Sequence, residues 1–463
     1  MTAIIYDKLK QLREKGHYPF HMPGHKRNCQ DEFSEAVSFA MDITEITGYD
    51  DLHHPEGMIR QSMDDMKEFY GTVETYFLIN GSTAGNLAAI ASVCRHGDKI
   101  LIARNCHRSV YHGVELLGLD PVYVYPEISE DGMCKGIRKE QIEAVIEQEK
   151  AVKAAVIVSP TYEGMVSDVQ GISQVLHKQG IPLIVDEAHG AHFSYYDKFP
   201  ESAVSAGADL VIQSLHKTLP SLTQTGLLHL CTDKISKKWV QSRLSVFQTS
   251  SPSYLLMASI DYCVHKCMDA EESFQQYERL MNSSYEDLNQ LEHLRRVKTD
   301  DFGKVVISTR NASVNGMELF QCLRDQYNLE LEMAEIYYVI AMTSVCDTEE
   351  GILRLTHALL EIDRKLGEAE EINPVSGVIR LPKIFTPAEA AGKQKRMTDL
   401  NQASGAVSGD YIYLYPPGIP LIVPGEKVTE SVILFCFPAA SAGVKILGSL
   451  MTPDTGFISS ARS

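Results

Sequence analysis

Between residues 75 and 231, short apolar runs alternate with longer stretches of helical periodicity. Runs rich in Val, Ile and Leu predict buried strands, because the strands of a parallel sheet are covered on both faces. The predicted strands are residues 76–79, 100–103, 122–125, 155–158, 183–186, 210–213 and 227–230. Helical patterns lie between them at 84–94, 110–117 and 172–179. This alternation predicts a doubly wound α/β domain with a mostly parallel sheet.

The rest of the chain predicts additional, smaller units. The pattern is helical from residue 254 to 294, as expected of a long connector, and an apolar run at 304–308 opens a second α/β unit. The run Tyr-Pro-Pro-Gly-Ile-Pro at 415–420 is too rich in proline for an interior helix or strand. We therefore predict an N-terminal helix and arm at 1–35, a large domain at 36–295 and a smaller C-terminal α/β region at 296–463.

Composition and charge narrow the class of protein. Of the 463 residues, 44% are hydrophobic and 22% are charged, which is typical of a soluble globular protein. The net charge of -18 argues against a nucleic-acid partner, because phosphates require a basic face. The ten cysteines form no CxxC pair or zinc-like cluster, so we expect reduced thiols, a cytoplasmic protein and no metal site. Residues 1–16 lack the apolar core of a signal peptide, and no apolar run is long enough to span a membrane.

Two charged residues stand at the carboxyl ends of predicted strands, where ligands bind in open α/β sheets. Asp186 ends the run 183–186, and a buried carboxylate there is costly unless it is paired. A protonated pyridine nitrogen would be such a partner, while a helix cap is the structural alternative. Lys217 follows the run 210–213 between Ser214 and His216. A desolvated lysine can form an imine with an aldehyde cofactor, although solvated lysines after strands are common.

Two further segments follow strands in the same way. Gly81, Ser82 and Thr83 stand between a strand and a helix, where free backbone N–H groups and hydroxyls can cradle a phosphate or merely cap the helix. His107 follows the run 100–103 and could stack on an aromatic ring or lie on the surface. Taken together, phosphate loop, histidine, aspartate and lysine follow successive strands, which indicates one shared site.

That order resembles the fold-type I enzymes that use pyridoxal phosphate (PLP), and the motifs resemble the Orn/Lys/Arg decarboxylase family. His-Met-Pro-Gly-His-Lys at 21–26 and Tyr-Pro-Pro-Gly-Ile-Pro at 415–420 are the most specific motifs. Further matching runs lie at 51–57, 80–86, 159–162, 186–189, 214–218, 249–254 and 415–426. The resemblance covers nearly the whole chain and implies an aspartate-aminotransferase-like large domain.

The resemblance also implies a role for each site residue. Lys217 would carry PLP as an imine, Asp186 would pair with its ring nitrogen, and His107 would stack on the ring. His189 would lie beside the cofactor and the substrate carboxylate, and Lys217 or His216 would return a proton to the substrate Cα. The phosphate would be held by Ser82, Thr83, Ser214 and His216, and by Thr249 and Ser250 of a neighbouring subunit. A homodimer or higher oligomer with its active site at the interface is implied.

The implied reaction is decarboxylation of arginine, lysine or ornithine, with arginine favoured, as a step of polyamine biosynthesis. A basic substrate needs an acidic partner, for which Asp50, Asp51, Glu56 and Glu163 are candidates. Glu163 follows Thr161-Tyr162 where relatives more often carry Asp or Tyr, and the N-terminal receiver-like domain of the large members is expected to be missing. Transamination, with Arg354 or Arg380 binding the substrate carboxylate, stays open as an alternative. A non-catalytic regulator with this fold is a third possibility.

Overall fold

The computed structural model describes most of the chain. The described residues are 18–20, 26, 45, 49–369, 378–399, 402–415, 418–434, 445–448 and 457–461. The predicted N-terminal helix, residues 21–25 of the first motif, and Pro416 and Pro417 of the proline-rich run lie outside these ranges.

Strands and helices alternate through the first half of the chain. The elements in order are β1 (Tyr18–Phe20), α1 (Met58–Tyr70), β2 (Glu74–Leu78), α2 (Gly81–Val93), β3 (Lys99–Ala103), α3 (Arg108–Leu116), β4 (Asp120–Val124), α4 (Lys139–Gln148), β5 (Val152–Val158), α5 (Val169–His177), β6 (Leu183–Asp186), β7 (Leu210–Gln213), α6 (Leu215–Thr218), β8 (Gly226–Leu230), α7 (Lys237–Phe247), α8 (Tyr254–Met268) and α9 (Glu271–Leu288). All seven predicted strands are present, and the ends of the observed strands differ from the predicted ends by three residues at most. The alternating pattern is confirmed.

Seven strands form the main sheet in the order β2-β8-β7-β6-β5-β3-β4. Strand β8 runs antiparallel to both of its neighbours, and the other adjacent pairs are parallel. The predicted mostly parallel sheet is therefore confirmed. Strands β3 and β5 lie side by side, and from them the chain winds outward in opposite directions. The carboxyl ends of the parallel strands meet at one edge, which is where ligands bind in sheets of this kind.

A second, antiparallel sheet follows the long helices. The elements in order are β9 (Arg295–Val297), β10 (Lys304–Ser308), α10 (Gly316–Tyr327), β11 (Leu329–Leu331), β12 (Met333–Ala334), β13 (Tyr338–Met342) and α11 (Glu349–Asp363). Four of these strands form a sheet in the order β12-β13-β10-β9, and β11 pairs in parallel with β1. The apolar run predicted at 304–308 is strand β10, but the sheet also contains the earlier strand β9, and the predicted domain bounds stay a prediction.

The helical stretch predicted to reach residue 294 ends earlier, at Leu288. The reason is the buried carboxylate of Asp363, which accepts hydrogen bonds from the backbone N–H groups of Glu292, His293 and Leu294 at 2.8, 3.0 and 2.6 Å. Backbone N–H groups bonded in this way cannot serve a helix, and the chain instead enters β9.

The last part of the chain forms small antiparallel sheets. The elements in order are α12 (Pro387–Ala391), β14 (Lys395–Asp399), β15 (Val407–Ser408), β16 (Ile412–Tyr415), β17 (Ile419–Ile422), β18 (Lys445–Gly448) and β19 (Phe457–Ala461). Pro420 belongs to strand β17, although its proline-rich run was predicted to be unsuited to an interior strand. The strand lies at the edge of the sheet β17-β16-β18, where a residue without an N–H is tolerated.

The apolar cores explain how these units hold together. One cluster packs helices such as α2 and α3 against the main sheet through Ile90, Ile102 and Val110. Another, which includes Phe77, Met257 and Val305, joins the main sheet to the long helices and to the second sheet, so it spans the predicted boundary at 295. A small separate cluster lies between Leu381 and Ile433. Among the described residues, no helix combines the length and apolar character needed to cross a membrane.

Candidate active site

A cavity of about 570 Å³ opens at the carboxyl ends of the parallel strands. Eight of the ten residues predicted to act on substrate or cofactor line it: Ser82, Thr83, His107, Asp186, His189, Ser214, His216 and Lys217. Asp186 is the last residue of β6, and the others come from the loops and helix starts that follow strands of the main sheet. The sheet therefore brings together residues that are up to 135 positions apart, from Ser82 to Lys217.

Lys217 is the chemical centre of this cavity. Its Nζ lies 3.0 Å from Nε2 of His189. Burial lowers the pKa of Lys217, while Asp186 and Glu332 partly offset the effect. Burial and the nearby Lys217 together hold the pKa of His189 well below its ordinary value. A lysine with a lowered pKa beside a neutral imidazole is suited to nucleophilic attack on a carbonyl.

Asp186 is fixed by a hydrogen-bonded chain that reaches His107. Asn86 Nδ2 donates to Asp186 Oδ2 at 2.8 Å and to Ser109 Oγ at 2.9 Å, and the backbone N–H of Ala188 donates to Asp186 Oδ1 at 3.2 Å. Burial raises the pKa of Asp186, and Lys217 opposes that shift. The carboxylate is thus oriented by neutral donors and faces a cavity in which a cation would be stabilised.

His107 presents a neutral ring to the cavity. The backbone N–H of Ser109 donates to Nδ1 of His107 at 3.2 Å, and this contact caps helix α3. Because Nδ1 accepts a hydrogen bond, the ring proton stands on Nε2. Burial, followed by the charge of Lys217, lowers the pKa of His107 to about 3. A neutral, fixed imidazole is suited to stacking on an aromatic ring.

Hydroxyl and amide donors converge at the start of helix α2. Ser82 Oγ and Ser214 Oγ lie 2.6 Å apart, and Gly81, Ser82 and Thr83 all line the cavity. The preceding Asn80 makes no capping bond to this helix, and its Oδ1 instead accepts the backbone N–H of Thr249 at 3.1 Å. An uncapped helix start with two serine hydroxyls fits an anion such as phosphate.

His216 and the pair Thr249 and Ser250 complete the predicted phosphate contacts. His216 lines the cavity, and its Nδ1 donates to the carbonyl of Thr225 at 2.8 Å, which fixes the ring. Thr249 and Ser250 are exposed and lie outside the lining of the cavity in their own chain. Their proposed contact with a neighbouring subunit stays a prediction.

Of the four acids predicted to receive a basic substrate, Glu163 lines the cavity. It is buried and accepts a hydrogen bond from the Tyr338 hydroxyl at 3.0 Å, and burial raises its pKa. Asp50 instead accepts hydrogen bonds from five backbone N–H groups between Asp51 and Arg60, and Asp51 accepts from the His53 N–H at 2.8 Å. Glu56 is exposed beside them. Asp50 and Asp51 therefore have local structural partners, and none of the three acids belongs to the lining of the cavity.

The cavity also contains residues that the sequence analysis did not assign. Glu332, which directly follows β11, lines it and accepts a hydrogen bond from the Tyr162 hydroxyl. The ring centroid of Tyr162 in turn lies 4.5 Å from the ring centroid of His189. Asn86 belongs to the motif at 80–86, five residues after Gly81 in the same helix. That position was the one sequence signal that could have pointed to its role. Glu332 belongs to a different unit, and no sequence signal pointed to it.

The walls of the cavity fit PLP on three observations. The uncapped helix start and the serine hydroxyls suit a phosphate, the buried Asp186 suits a protonated ring nitrogen, and Lys217 suits an aldehyde. Asn86 Oδ1 and His189 Nδ1 are buried in these walls without a hydrogen-bond partner within the described ranges. A polar ligand could satisfy such atoms. No group of three or more potential metal ligands occurs in the described part of the chain.

Comparison with known proteins gives consistent matches. Residues 4–332 match the family model "Orn/Lys/Arg decarboxylase, major domain", and residues 382–443 match the "C-terminal domain" of the same family. The chain is 32% identical over 465 residues to "Arginine decarboxylase" of Bacillus subtilis (strain 168), covering 96% of this chain and 95% of that protein.

Solved structures agree on the fold. "Lysine decarboxylase A from Pseudomonas aeruginosa" superposes with a TM-score of 0.75 at 18% identity, covering 98% of this chain and 80% of that one. A structure described as "SPT with PLP" gives a TM-score of 0.58 at 16% identity, covering 76% of this chain and 87% of that one. The predicted fold, that of the PLP-dependent transferases, is thereby confirmed.

Proposed function

The chain belongs to the Orn/Lys/Arg decarboxylase family, and on this premise we propose that it converts arginine to agmatine and CO2 with PLP as its cofactor. It is a decarboxylase of basic amino acids, as its named relatives are. The observation that carries the proposal is Lys217, which stands with Asp186 and His189 in one cavity. Arginine is preferred because the full-length relatives at 31–32% identity carry the name arginine decarboxylase.

Bound PLP supplies an aldehyde for the substrate amine and an electron-poor ring that accepts the electron pair left when CO2 departs. Lys217 would hold the cofactor at its aldehyde and later return a proton to the substrate Cα. Nε2 of His189 lies 3.0 Å from Nζ of Lys217, so His189 is placed to exchange a proton with the Lys217 amine. Asp186 would keep a positive charge on the ring nitrogen, and Asn86 fixes the orientation of its carboxylate.

The remaining residues would bind and orient the cofactor. His107 would stack on its ring, and its low pKa keeps the imidazole neutral, so that it adds no positive charge beside the ring. The phosphate would be held by Ser82 and Thr83 at the start of α2 and by Ser214 and His216 at the start of α6, with Thr249 and Ser250 reaching the site of a partner in a homodimer. Both of these last residues are exposed, as such a contact requires.

The basic end of the substrate would be bound by Glu163 and Glu332. Both carboxylates line the cavity, and Tyr162 links Glu332 to His189 through its hydroxyl and its ring. A guanidinium group forms short, charge-assisted bonds with carboxylates and can engage two oxygens at once. The two acids together therefore suit arginine.

Transamination is less well supported, because both arginines considered for it have other partners. Arg354 donates to the carbonyls of Tyr327 and Asn328 at 3.4 and 3.3 Å, and Arg380 lies over the Tyr125 ring at 4.8 Å. Neither belongs to the lining of the cavity that holds Lys217.

A cytoplasmic site of action in polyamine biosynthesis is proposed together with the reaction. The eight cysteines that the structure describes are free thiols, which is consistent with a reducing compartment.

A substrate assay tests the proposed function directly. The purified protein, loaded with PLP, is given arginine, lysine or ornithine, and both released CO2 and the amine product are measured by mass spectrometry. We expect the highest kcat/KM for arginine, with agmatine and CO2 formed in equal amounts. Formation of a keto acid without CO2 would instead identify a transaminase, and preference for lysine would overturn the choice of arginine.

Replacing Glu332 with glutamine tests the binding of the basic end. Loss of a charge-assisted hydrogen bond, worth about 1.5–3 kcal/mol, should raise KM for arginine by roughly tenfold to a hundredfold and change kcat much less. Glu330→Gln, two positions earlier and outside the cavity lining, is the matched control. Citrulline, the neutral analogue of arginine, should bind both variants equally. An unchanged KM for arginine in Glu332→Gln would exclude this role.

A further inference from the structure

A buried ion pair joins the main sheet to the C-terminal region. Arg104 directly follows β3, and its Nη2 lies 3.2 Å from Oε2 of Glu426. The two side chains are 6% and 1% exposed, so neither charge is compensated by solvent. Glu426 Oε2 also accepts the backbone N–H of Val423 at 2.8 Å, which closes a tight turn. Removing one partner of such a pair would leave a buried charge unpaired.

The same guanidinium holds the strand that carries part of the cavity wall. Arg104 Nη1 donates to the carbonyl of Pro420, and Nη2 donates to the carbonyl of Leu421 at 3.0 Å. Both carbonyls belong to β17, whose first residue, Ile419, lines the cavity. The position of Ile419 therefore depends on the contacts that Arg104 makes one and two residues further along.

Both the guanidinium and the backbone of Arg104 are also held beside the loop of residues 104–107, called here the catalytic loop because it carries His107. Its guanidinium carbon lies 5.6 and 5.4 Å from the ring centroids of Tyr111 and Tyr123, and the Tyr111 hydroxyl donates to the Arg104 carbonyl at 2.7 Å. Asn105 and His107, which follow Arg104 in the chain, both line the cavity. Arg104 is thus in contact with two walls of the cavity that come from opposite halves of the sequence.

We propose that Arg104 and Glu426 form a positioning pair, which holds β17 against the catalytic loop and so places Ile419 over the cavity that contains Lys217. This inference rests on the proposed function, because it concerns the fit of the amino-acid substrate. Neither residue touches the reacting atoms. The pair acts through Ile419 on one side and through the loop of His107 on the other.

The variants Arg104→Gln, Glu426→Gln and the double variant test the pair. Each single change should raise KM for the amino acid by roughly tenfold, since a small displacement of a wall residue is costly to substrate fit, while the visible absorbance of bound cofactor is kept. Amide hydrogen exchange over residues 418–426 should become faster in both single variants without substrate. The double variant, which removes both buried charges, should regain thermal stability but not the low KM.

Lys383→Gln is the matched control. Lys383 also ties the C-terminal region to the main sheet, through the Asp120 carboxylate and the Pro121 carbonyl at 2.8 Å, but its side chain is partly exposed and outside the cavity lining, and its β-bridge to Glu426 is made by the backbone, which the substitution keeps. In Lys383→Gln, the KM for the amino acid and the rate of amide hydrogen exchange over residues 418–426 should stay unchanged. Arg104→Lys replaces Arg104→Gln if the latter does not fold, because a lysine keeps the charge but cannot bind two carbonyls and a carboxylate together.

The outcomes separate this inference from the proposed function. Unchanged exchange over 418–426 in the Arg104 and Glu426 variants overturns the positioning pair, whatever the activity. Recovery of KM together with stability in the double variant also overturns it, because KM would then follow stability alone. If the unaltered protein releases no CO2 from any of the three amino acids, the proposed function fails, and the exchange measurement still decides on the pair.

Discussion

Replacing Lys217 with alanine is expected to abolish decarboxylation and the visible absorbance of the bound cofactor. Lys217 is the one lysine among the described residues that lines the cavity, and its amine serves both to hold the cofactor and to return a proton. Loss of a residue with both roles should lower kcat by roughly 10⁴-fold or more. The measurements are CO2 release at saturating arginine and the absorbance spectrum after addition of PLP.

Two controls make the Lys217 result specific. Lys238→Ala, at an exposed position, should keep full activity and the full spectrum. Added methylamine should restore part of the activity of Lys217→Ala, because it replaces the missing amine without restoring any packing. An unchanged spectrum in Lys217→Ala, or a loss of activity of equal size in Lys238→Ala, would contradict the role of Lys217.

The second large effect is expected from Asp186→Asn. This change keeps the size of the side chain and removes its charge, so the positive charge on the cofactor nitrogen would lose its partner in a buried site. Removal of one fixed electrostatic partner of a developing charge typically lowers kcat by about 10²- to 10³-fold. Cofactor binding should persist, because Lys217 and the phosphate contacts remain. The measurements are kcat for arginine and cofactor occupancy from the spectrum.

A modified cofactor distinguishes charge from structure in this variant. PLP methylated at the ring nitrogen carries a permanent positive charge and should restore much of the kcat of Asp186→Asn. Asp209→Asn is the matched control, because Asp209 is another buried carboxylate of the sheet and binds His177 at 2.7 Å and the Leu183 N–H at 2.8 Å. It should lower stability without changing the spectrum. Equal kcat losses in the two variants would contradict the proposed role of Asp186.

The fold could be predicted where the sequence repeats a physical requirement. Strands buried on both faces must be nearly all apolar, and for this reason β6 and β7 were predicted to the residue. Helix α4 escaped the apolar pattern because Ile142 is its one fully buried residue. The end of α9 depends on Asp363, which is distant in sequence, and no local pattern could reveal it.

The site could be predicted only as far as one sheet defines it. Lys217, Asp186 and His107 each follow a strand of the same sheet, so strand order alone brings them together. Glu332 and Ile419 reach the cavity from separate units, whose docking depends on contacts such as those of Arg104. Strand order within a unit therefore predicts the cofactor contacts and the place of Glu163, whereas packing between units determines the contacts of Glu332 and Ile419.

The arrangement of the cavity along the chain has a consequence for biosynthesis on the ribosome. All residues expected to hold the cofactor within one chain lie between Ser82 and Lys217, and the main sheet is complete at Leu230. Glu332 and Ile419 are synthesised later, and domains generally fold from the N-terminal end as the chain emerges. A nascent chain can thus complete the cofactor contacts of the cavity before Glu332, one of the two acids proposed to bind the basic end of the substrate, has been synthesised.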